Sequence, residues 1–444
     1  MSVDYQQELQ NRIISNDLCS GCGTCAGVCM KECIYFDGES HTPQFDRENC
    51  VNCGLCYRSC PGKGFQFQKL KEKAVHWDER IGPYVSFVTC HSTDTLLRKN
   101  GASGGTVSAI FRYVLEKQLV QKILCVRKNG EKFEAFLTDD VVTLSQTQGS
   151  KYIPVPLNVA LKTIIKKEYT VAVVGTPCEL QGIRLASETF HKLQTLIKYK
   201  IGIFCGFAQP KQCLLAFRKY MNTESNEWQF DGWRCGEYPG YVRFTNVATG
   251  EQRQLLIYEA YNLAVPFYSM EKCFMCPDGT NMCADFAFGD IHSRGNDENI
   301  GIIRTKNGAD LIDAMCSDRY LESSELTLDE SMKGTVGSVS YLKGMRSLLY
   351  ISTSKKVVPE YDMLFDKNNY NKIMVLQNRI QIILYRFVRK PYALHFFEMF
   401  PKLQMRVGRY IYTFPNRVLL YQFLKKTKNF VKRKCQNEKG RNAA

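Results

Sequence analysis

Eight cysteines near the N-terminus stand in two runs of one spacing: Cys19, Cys22, Cys25 and Cys29, then Cys50, Cys53, Cys56 and Cys60, the second followed by Pro61. Thiolates at i, i+3 and i+6 on a tight loop can cover three iron corners of a [4Fe-4S] cubane, so each fourth ligand must come from elsewhere. Where two such runs occur together, the fourth cysteine of each crosses to the other cluster. The spacing therefore assigns Cys19, Cys22, Cys25 and Cys60 to one cluster, and Cys50, Cys53, Cys56 and Cys29 to a second. Ser20, Gly21, Gly23 and Gly54 let backbone N–H groups turn toward cluster sulfurs, which stabilises the more negative reduced state. The implied chemistry is one-electron transfer. Structural zinc rarely uses two nested quartets, and disulfides need no such spacing.

This segment resembles the bacterial dicluster ferredoxins over roughly the first 70 residues. Met30 follows Cys29 where that family usually has proline. The wider composition agrees with an iron–sulfur protein. There are 20 cysteines in 444 residues, with no signal-peptide pattern and no apolar run near the ~18 residues of a membrane span. A reducing cytoplasm is expected, since thiolates reserved for iron would be lost to disulfides outside it. A net charge of +15 raises the question of nucleic acid, but residues 346–444 hold 21 Lys+Arg against 5 Asp+Glu, leaving 38 against 39 in residues 1–345. The excess is confined to the tail, which lacks RNP-like or glycine–arginine motifs, so no nucleic-acid partner is expected.

Further elements must position any chemistry in the middle of the chain. After the charged stretch 69–73, a new pattern begins near Ile81. The turn Gly101-Ala-Ser-Gly-Gly105 precedes Val107, Ile110, Phe111, Val114 and Leu115 at helical spacing. A glycine-rich turn opening a helix aims N–H groups at an anion and suits a phosphate-bearing cofactor, although most such turns are only turns. Residues 169–174 and 199–204 are β-rich and 178–193 reads as helix, which makes a β-α-β unit whose parallel strands end at one edge. At that edge stand Gly175-Thr176-Pro177-Cys178 and Cys205-Gly206, where α/β folds place ligands. With the pair Cys273 and Cys276, the thiols of Cys178 and Cys205 would complete a third [4Fe-4S] site. Cys283 and Cys235 compete for it. Cys33, Cys90, Cys125, Cys213, Cys316 and Cys435 are read as non-ligands, since isolated cysteines are usually small buried hydrophobes.

The glycine turn, Ser150-Lys151-Tyr152, Val174-Gly-Thr-Pro-Cys178, Cys205-Gly206, Cys273-x2-Cys276 and Ala284-Asp-Phe-Ala-Phe-Gly-Asp290 occur in the order seen in the family of coenzyme F-420 hydrogenase/dehydrogenase beta subunits. The chain resembles that family over residues 81–310. The family includes deazaflavin-linked hydrogenase and dehydrogenase subunits, a chlorophyll-cycle reductase and bacterial members beside polysaccharide-synthesis genes. The resemblance implies FAD near Ser103, Gly104, Gly105, Thr106, Ser150, Lys151 and Tyr152. Gly175, Thr176, Asp285 and Asp290 are further cofactor-binding candidates, the two aspartates having turn-capping as their plain alternative. Lys151 is the catalytic candidate, placed to stabilise reduced flavin, against the commoner fate of a surface lysine. His292, which follows Gly289-Asp290-Ile291, is a further candidate for general acid.

The expected architecture is an α+β ferredoxin-like dicluster module (residues 1–72), a mixed α/β flavin and iron–sulfur core (81–345) and a basic helical tail (346–444). In the tail, Lys372, Arg379, Arg386 and Lys390 share one helical face, with Ile373, Leu376, Ile380, Ile383, Leu384 and Phe387 around the rest; Lys425, Lys428 and Lys432 follow the apolar stretch 418–424. Such helices suit an anionic bilayer interface, so peripheral attachment to the inner face of the cell membrane is expected, against the alternative of a helical cap on the core. The expected function is an FAD-dependent oxidoreductase carrying electrons between its clusters and a flavin-site substrate, served by a redox partner protein or soluble donor. The alternatives are an electron-transfer subunit of a larger complex, or a redox accessory protein of surface-polysaccharide assembly without turnover.

Overall fold

The computed structural model describes residues 3–38, 40–291, 298–354, 356–362 and 372–413. His292, the stretch 418–424, Lys425, Lys428, Lys432 and Cys435 lie outside them. The two cysteine runs fold as a structural repeat. Each enters a one-turn helix, Thr24–Gly27 and Leu55–Arg58, preceded by Gly23 at φ +81° and Gly54 at φ +73°. Only glycine takes that left-handed backbone without cost. One turn earlier the repeat has Gly21 at φ +69° and Asn52 at φ +52°, asparagine being among the few side chains that visit the same region. These turns aim amides at sulfur: Gly21 N–H donates to Cys19 Sγ at 3.4 Å, Asn52 N–H to Cys50 Sγ at 3.4 Å, and Gly62 N–H to Cys60 Sγ at 3.3 Å.

The core is built on an eight-stranded mixed sheet in the order Leu321–Leu326, Ser86–Ser92, Asn299–Ile303, Phe286–Asp290, Ile197–Ile203, Val171–Gly175, Lys122–Asn129, Lys132–Thr138. The four strands from Phe286–Asp290 to Lys122–Asn129 are mutually parallel and the outer pairs antiparallel. The β-α-β unit expected near residues 169–204 is present, with its helix at Pro177–Thr189. That helix ends earlier than its apolar pattern suggests, and the chain breaks at Phe190 before a second short helix, Lys192–Leu196. The glycine turn opens helix Thr106–Glu116, whose Ile110, Phe111 and Val114 are buried. An antiparallel meander, Trp228–Cys235, Tyr241–Asn246 and Gln252–Leu256, leads into helix Ile257–Tyr268; the sequence pattern did not announce it.

The dicluster module is embedded in the core. A Cβ on Gly27 would fall 1.9 Å from the Asn158 carbonyl oxygen and one on Gly23 2.7 Å from that of Pro156. Asn158 Nδ2 donates to Thr24 Oγ1 at 2.8 Å. Strand Gly64–Phe65 pairs in parallel with Glu360–Tyr361, and the Asp362 carboxylate accepts from the Phe67 amide at 2.6 Å and the Gln68 amide at 3.1 Å. Helix Thr335–Thr353 runs straight through residue 346, where the charge pattern placed the start of the tail. One hydrophobic core contains Ile13, Cys25, Phe230, Tyr350, Tyr385 and Ile411 together. Helices Lys372–Val388, Pro391–Met399 and 401–413 are packed on this body, and a Cβ on Gly408 would lie 2.0 Å from the Asn262 carbonyl oxygen.

Candidate functional site

Strands Ser86–Ser92, Phe286–Asp290, Ile197–Ile203 and Val171–Gly175 all end at one edge of the sheet, and the antiparallel strand Asn299–Ile303 begins there. The glycine turn, Thr176–Cys178, Cys205, Asp290 and Asn299 are gathered at that edge for this reason alone. Asp285 opens strand Phe286–Asp290 and so stands at the opposite edge. Its carboxylate accepts from the Lys200 amide at 2.8 Å, Lys200 Nζ at 2.9 Å and Thr305 Oγ1 at 3.2 Å, a structural role that parts it from the other cofactor-binding candidates.

The thiols of the first two quartets group as the crossed spacing requires. Burial pushes the Cys25 thiol far up, and Cys60, Cys19 and Cys22 reinforce this, followed by Cys56 of the neighbouring quartet. Burial takes Cys56 up to about 12, with Cys29, Cys53 and Cys50 adding to the shift. Desolvated thiolates crowded in this way stay ionised only around a cationic centre, which iron supplies. Among the described residues no three His, Cys, Asp or Glu side chains converge on a point suited to one metal ion; a cubane takes one thiolate per iron and spaces its sulfurs around a larger body. Cys53 is exposed, Cys29 and Cys50 are half-buried, and Cys22 and Cys25 are buried, so the second quartet faces outward. Cys33 lies beside Cys29 and Cys50, raised to about 11 by burial and then by Cys29.

The sheet edge assembles the third quartet. Burial drives Cys205 up to about 12, and among the charges acting on it are Lys343, Cys273 and Cys276. Cys178 feels Cys22 of the first quartet as well as Cys205. Ala208 N–H donates to Cys273 Sγ at 3.3 Å. Cys235 lies among Arg243, Asp231 and Lys128, and Cys283 near Asp278, Arg184 and Arg304, so neither competing cysteine joins this group. Thr176 caps helix Pro177–Thr189 in a reciprocal box with Glu179, and Gly175 accepts from Asn281 Nδ2 at 2.8 Å. Both belong to the scaffold of this quartet. Two buried lysines that sequence reasoning missed bracket it. Lys343 Nζ donates to the carbonyls of Gly206 at 2.8 Å and Cys273 at 3.1 Å; burial opposes its charge, but Cys276, Cys205 and Cys273 outweigh burial and raise its pKa. Lys272 Nζ donates to Pro61 O at 3.1 Å, Gly62 O at 3.3 Å and Tyr361 Oη at 2.8 Å.

A polar cluster stands beside that quartet. Asn299 Nδ2 donates to Ser103 Oγ at 2.6 Å, Ser103 Oγ donates to Asp290 Oδ1 at 2.8 Å, and Arg234 pairs with the other carboxylate oxygen of Asp290. Arg234 comes from the end of the first meander strand, Trp228–Cys235, near the Tyr152 hydroxyl, which accepts from Tyr261 Oη at 3.0 Å. Ser150 bridges Trp233. Among the described residues the buried donors Arg234 Nη2 and Trp233 Nε1 and the buried acceptor Asn299 Oδ1 have no hydrogen-bond partner, and no side chain caps helix Thr106–Glu116. The two orphaned donors and the uncapped helix start fit an anionic, phosphate-bearing group, and the Asn299 oxygen would accept from a hydroxyl or N–H of that group. Thr106 is turned inward, its hydroxyl donating to Cys90 O at 3.4 Å. A cavity of 540 Å³ opens elsewhere, between module and core, lined by Tyr35, His41, Phe133 and Ile153 among others.

Models described as "Coenzyme F420 hydrogenase/dehydrogenase, beta subunit" match the chain at residues 87–162 (N-term) and 169–329 (C terminus), and a "4Fe-4S dicluster domain" matches at residues 18–63. The chain belongs to this family of beta subunits. Its N-terminal module is a 4Fe-4S dicluster domain. An uncharacterized protein of Methanocaldococcus jannaschii is 24% identical over 360 residues, 72% of this chain and 92% of the relative. Coenzyme F420-dependent sulfite reductase of the same organism is 27% identical, covering 70% of this chain and 48% of the reductase, so the chain spans about half of that relative. The beta subunit of coenzyme F420 hydrogenase from Methanococcus voltae is 25% identical over 256 residues, 55% of this chain and 86% of the relative. The fold is similar to a chain of the F420-reducing [NiFe] hydrogenase complex from Methanosarcina barkeri, with TM-score 0.52 and 18% identity over 63% of this chain and 94% of that one.

Within this member of the family, Lys151 is held by its own loop. Its ammonium donates to the carbonyls of Thr147, Gln148 at 2.7 Å and Gly149 at 3.1 Å, and burial lowers its pKa to about 8. The group orders the segment carrying Ser150 and Tyr152. Lys151→Met is expected to cost about 1–3 kcal/mol by leaving those carbonyls unsatisfied, measured by urea unfolding. Unchanged stability with altered flavin reduction, at equal flavin content, would instead return Lys151 to the chemistry.

Proposed function

We propose that the chain is an iron–sulfur flavoprotein oxidoreductase passing electrons between its ferredoxin-type clusters and a substrate that reacts at bound FAD. The observation that supports this reading best is the continuous row of redox-competent groups. It begins at exposed Cys53, continues through the two crossed quartets, and reaches Cys178 beside Cys22. From Cys205 the chain runs directly to Gln209, whose amide donates to the Tyr152 carbonyl at 2.9 Å. A flavin exchanges electrons singly or as a hydride pair, whereas a cubane passes one at a time, so the two together couple one- and two-electron chemistry. Ser103, Asp290 and Asn299 would position the cofactor's polar groups, and Arg234 would offer its unpaired Nη2 to a phosphate. Tyr152, Trp233 and Tyr261 form an aromatic wall, with ring centroids 6.1 Å and 5.9 Å from Tyr152, that excludes water.

A second reading, an electron-transfer subunit whose catalytic partner holds the substrate, is favoured by the exposed Cys53 and by Val51 beside it, 61% exposed, which present the outer cluster to a redox partner protein. Anaerobic purification with iron, sulfide and flavin quantitation tests both. Gly104 is a poor probe of the flavin, because a Cβ there would lie 2.6 Å from Asn299 Oδ1 on a backbone at φ +57°, so any substitution distorts the turn itself. Arg234→Leu is the better variant, expected to lower retained flavin by roughly tenfold through loss of a charged hydrogen bond with iron unchanged. Wild-type protein that takes up no FAD, or Arg234→Leu with full flavin, would overturn the assignment. Dependence of turnover on a second polypeptide separates the two readings.

A further inference from the structure

The outer face of the C-terminal helices takes no part in the redox site. On helix Lys372–Val388 the inner face carries Gln381, Ile382, Tyr385 and Val388, all buried, while Leu376, Ile380, Ile383 and Phe387 are 59, 42, 63 and 48% exposed. Their spacing of four, three and four makes one stripe along the helix. Tyr392, Phe396, Met399, Phe400 and Leu403 continue it on the next two helices, also exposed, and the Phe387 and Tyr392 rings, 6.5 Å apart, join the two halves. A contiguous apolar surface of this kind marks an interaction face.

Charge selects the partner. Residues 372–413 contain eight Lys+Arg and a single acidic residue, Glu398, whose carboxylate is turned to the body and accepts from Tyr268 Oη at 2.9 Å. Arg379, Lys390, Lys402 and Arg406 are exposed beside the apolar stripe. A second copy of the chain would set this positive face against itself. The chain's own residues 414–444 hold nine Lys+Arg and one acidic residue, so they too are repelled. Among the described residues no helix is long and apolar enough to cross a membrane. A basic and aromatic face of this kind matches the headgroup region of an anionic bilayer, with apolar side chains inserted and cations at the phosphates.

We propose that the outer face of helices Lys372–Val388, Pro391–Met399 and 401–413 is a docking surface for an anionic lipid bilayer, on which the protein lies without spanning it. The test uses the full chain and flotation with vesicles of phosphatidylcholine containing about 30% phosphatidylglycerol, against phosphatidylcholine alone. Binding is expected only to the anionic vesicles and weakens in 1 M salt, where the Debye length falls to ~3 Å. The double variant Ile383→Asp/Phe396→Asp and, separately, Arg379→Glu/Lys390→Glu/Lys402→Glu should each reduce binding by roughly tenfold or more, with iron and flavin content preserved. Binding that persists in both variants overturns the proposal. So does binding abolished by deleting 414–444 with the face intact, or a dimer in gel filtration that the double variant dissociates.

Discussion

If Cys178, Cys205, Cys273 and Cys276 hold a third four-iron centre, replacing Cys276 with serine should lower the iron of anaerobically purified full-length protein from about twelve to about eight per chain. The spectra of the two N-terminal clusters should survive, since their eight thiols are supplied by residues 19–60 alone. The proposed third site should be more fragile, since its four thiols come from three separate loops at the sheet edge. Iron that remains near twelve would show that another thiol completes the site, and Cys283 would then be tested next. The full chain is needed for this measurement, because the dicluster module is locked to the core by contacts as close as those of Gly27 with Asn158. An isolated segment would lose them.

Lys272→Met should shift the reduction potentials of two clusters at once. The ammonium is buried, and its hydrogen-bond partners are two carbonyls and a tyrosine hydroxyl, with no carboxylate among them. Burial lowers its pKa to about 8 against the opposing pull of Cys276, Cys60, Cys178 and Cys273. The carbonyls it holds, Pro61 and Gly62, follow a ligand of the first quartet, while Lys272 itself precedes a ligand of the third. Reduction makes each cluster more negative, and a nearby fixed positive charge favours that state. Its removal should lower both midpoints by roughly 60–120 mV, about 1.4–2.8 kcal/mol for one electron, read by potentiometric titration with electron paramagnetic resonance. Lys343→Met should lower the third cluster alone, since its thiol neighbours are Cys276, Cys205 and Cys273. Unmoved potentials in both variants would leave the lysines as packing only.

The dicluster motif, the β-α-β unit and the helix after the glycine turn were all legible in the sequence. Each is a short-range pattern: thiolate spacing answers to the size of a cubane, left-handed turns select glycine, and helical periodicity needs only eleven residues from Thr106 to Glu116. The grouping of Cys178, Cys205, Cys273 and Cys276 was also readable, because parallel strands must end at one edge. That same rule, applied through the register of strand Phe286–Asp290, sets Asp285 at the opposite end of the strand from Asp290. The tertiary structure alone decided the rest. Lys272 and Lys343 look like ordinary surface residues until the fold buries them beside thiols, and Arg234 reaches Asp290 only because the meander closes over the sheet edge. The catalytic candidate Lys151 donates to three carbonyls of its own loop, partners that the sequence pattern did not reveal. The last quarter of the chain reads as a separate basic tail because charge is counted along the sequence, but burial is settled across it. Helix Thr335–Thr353 carries Lys343 into the third quartet and Arg346 into the core, and the helices beyond it keep one face for packing and leave the other to solvent.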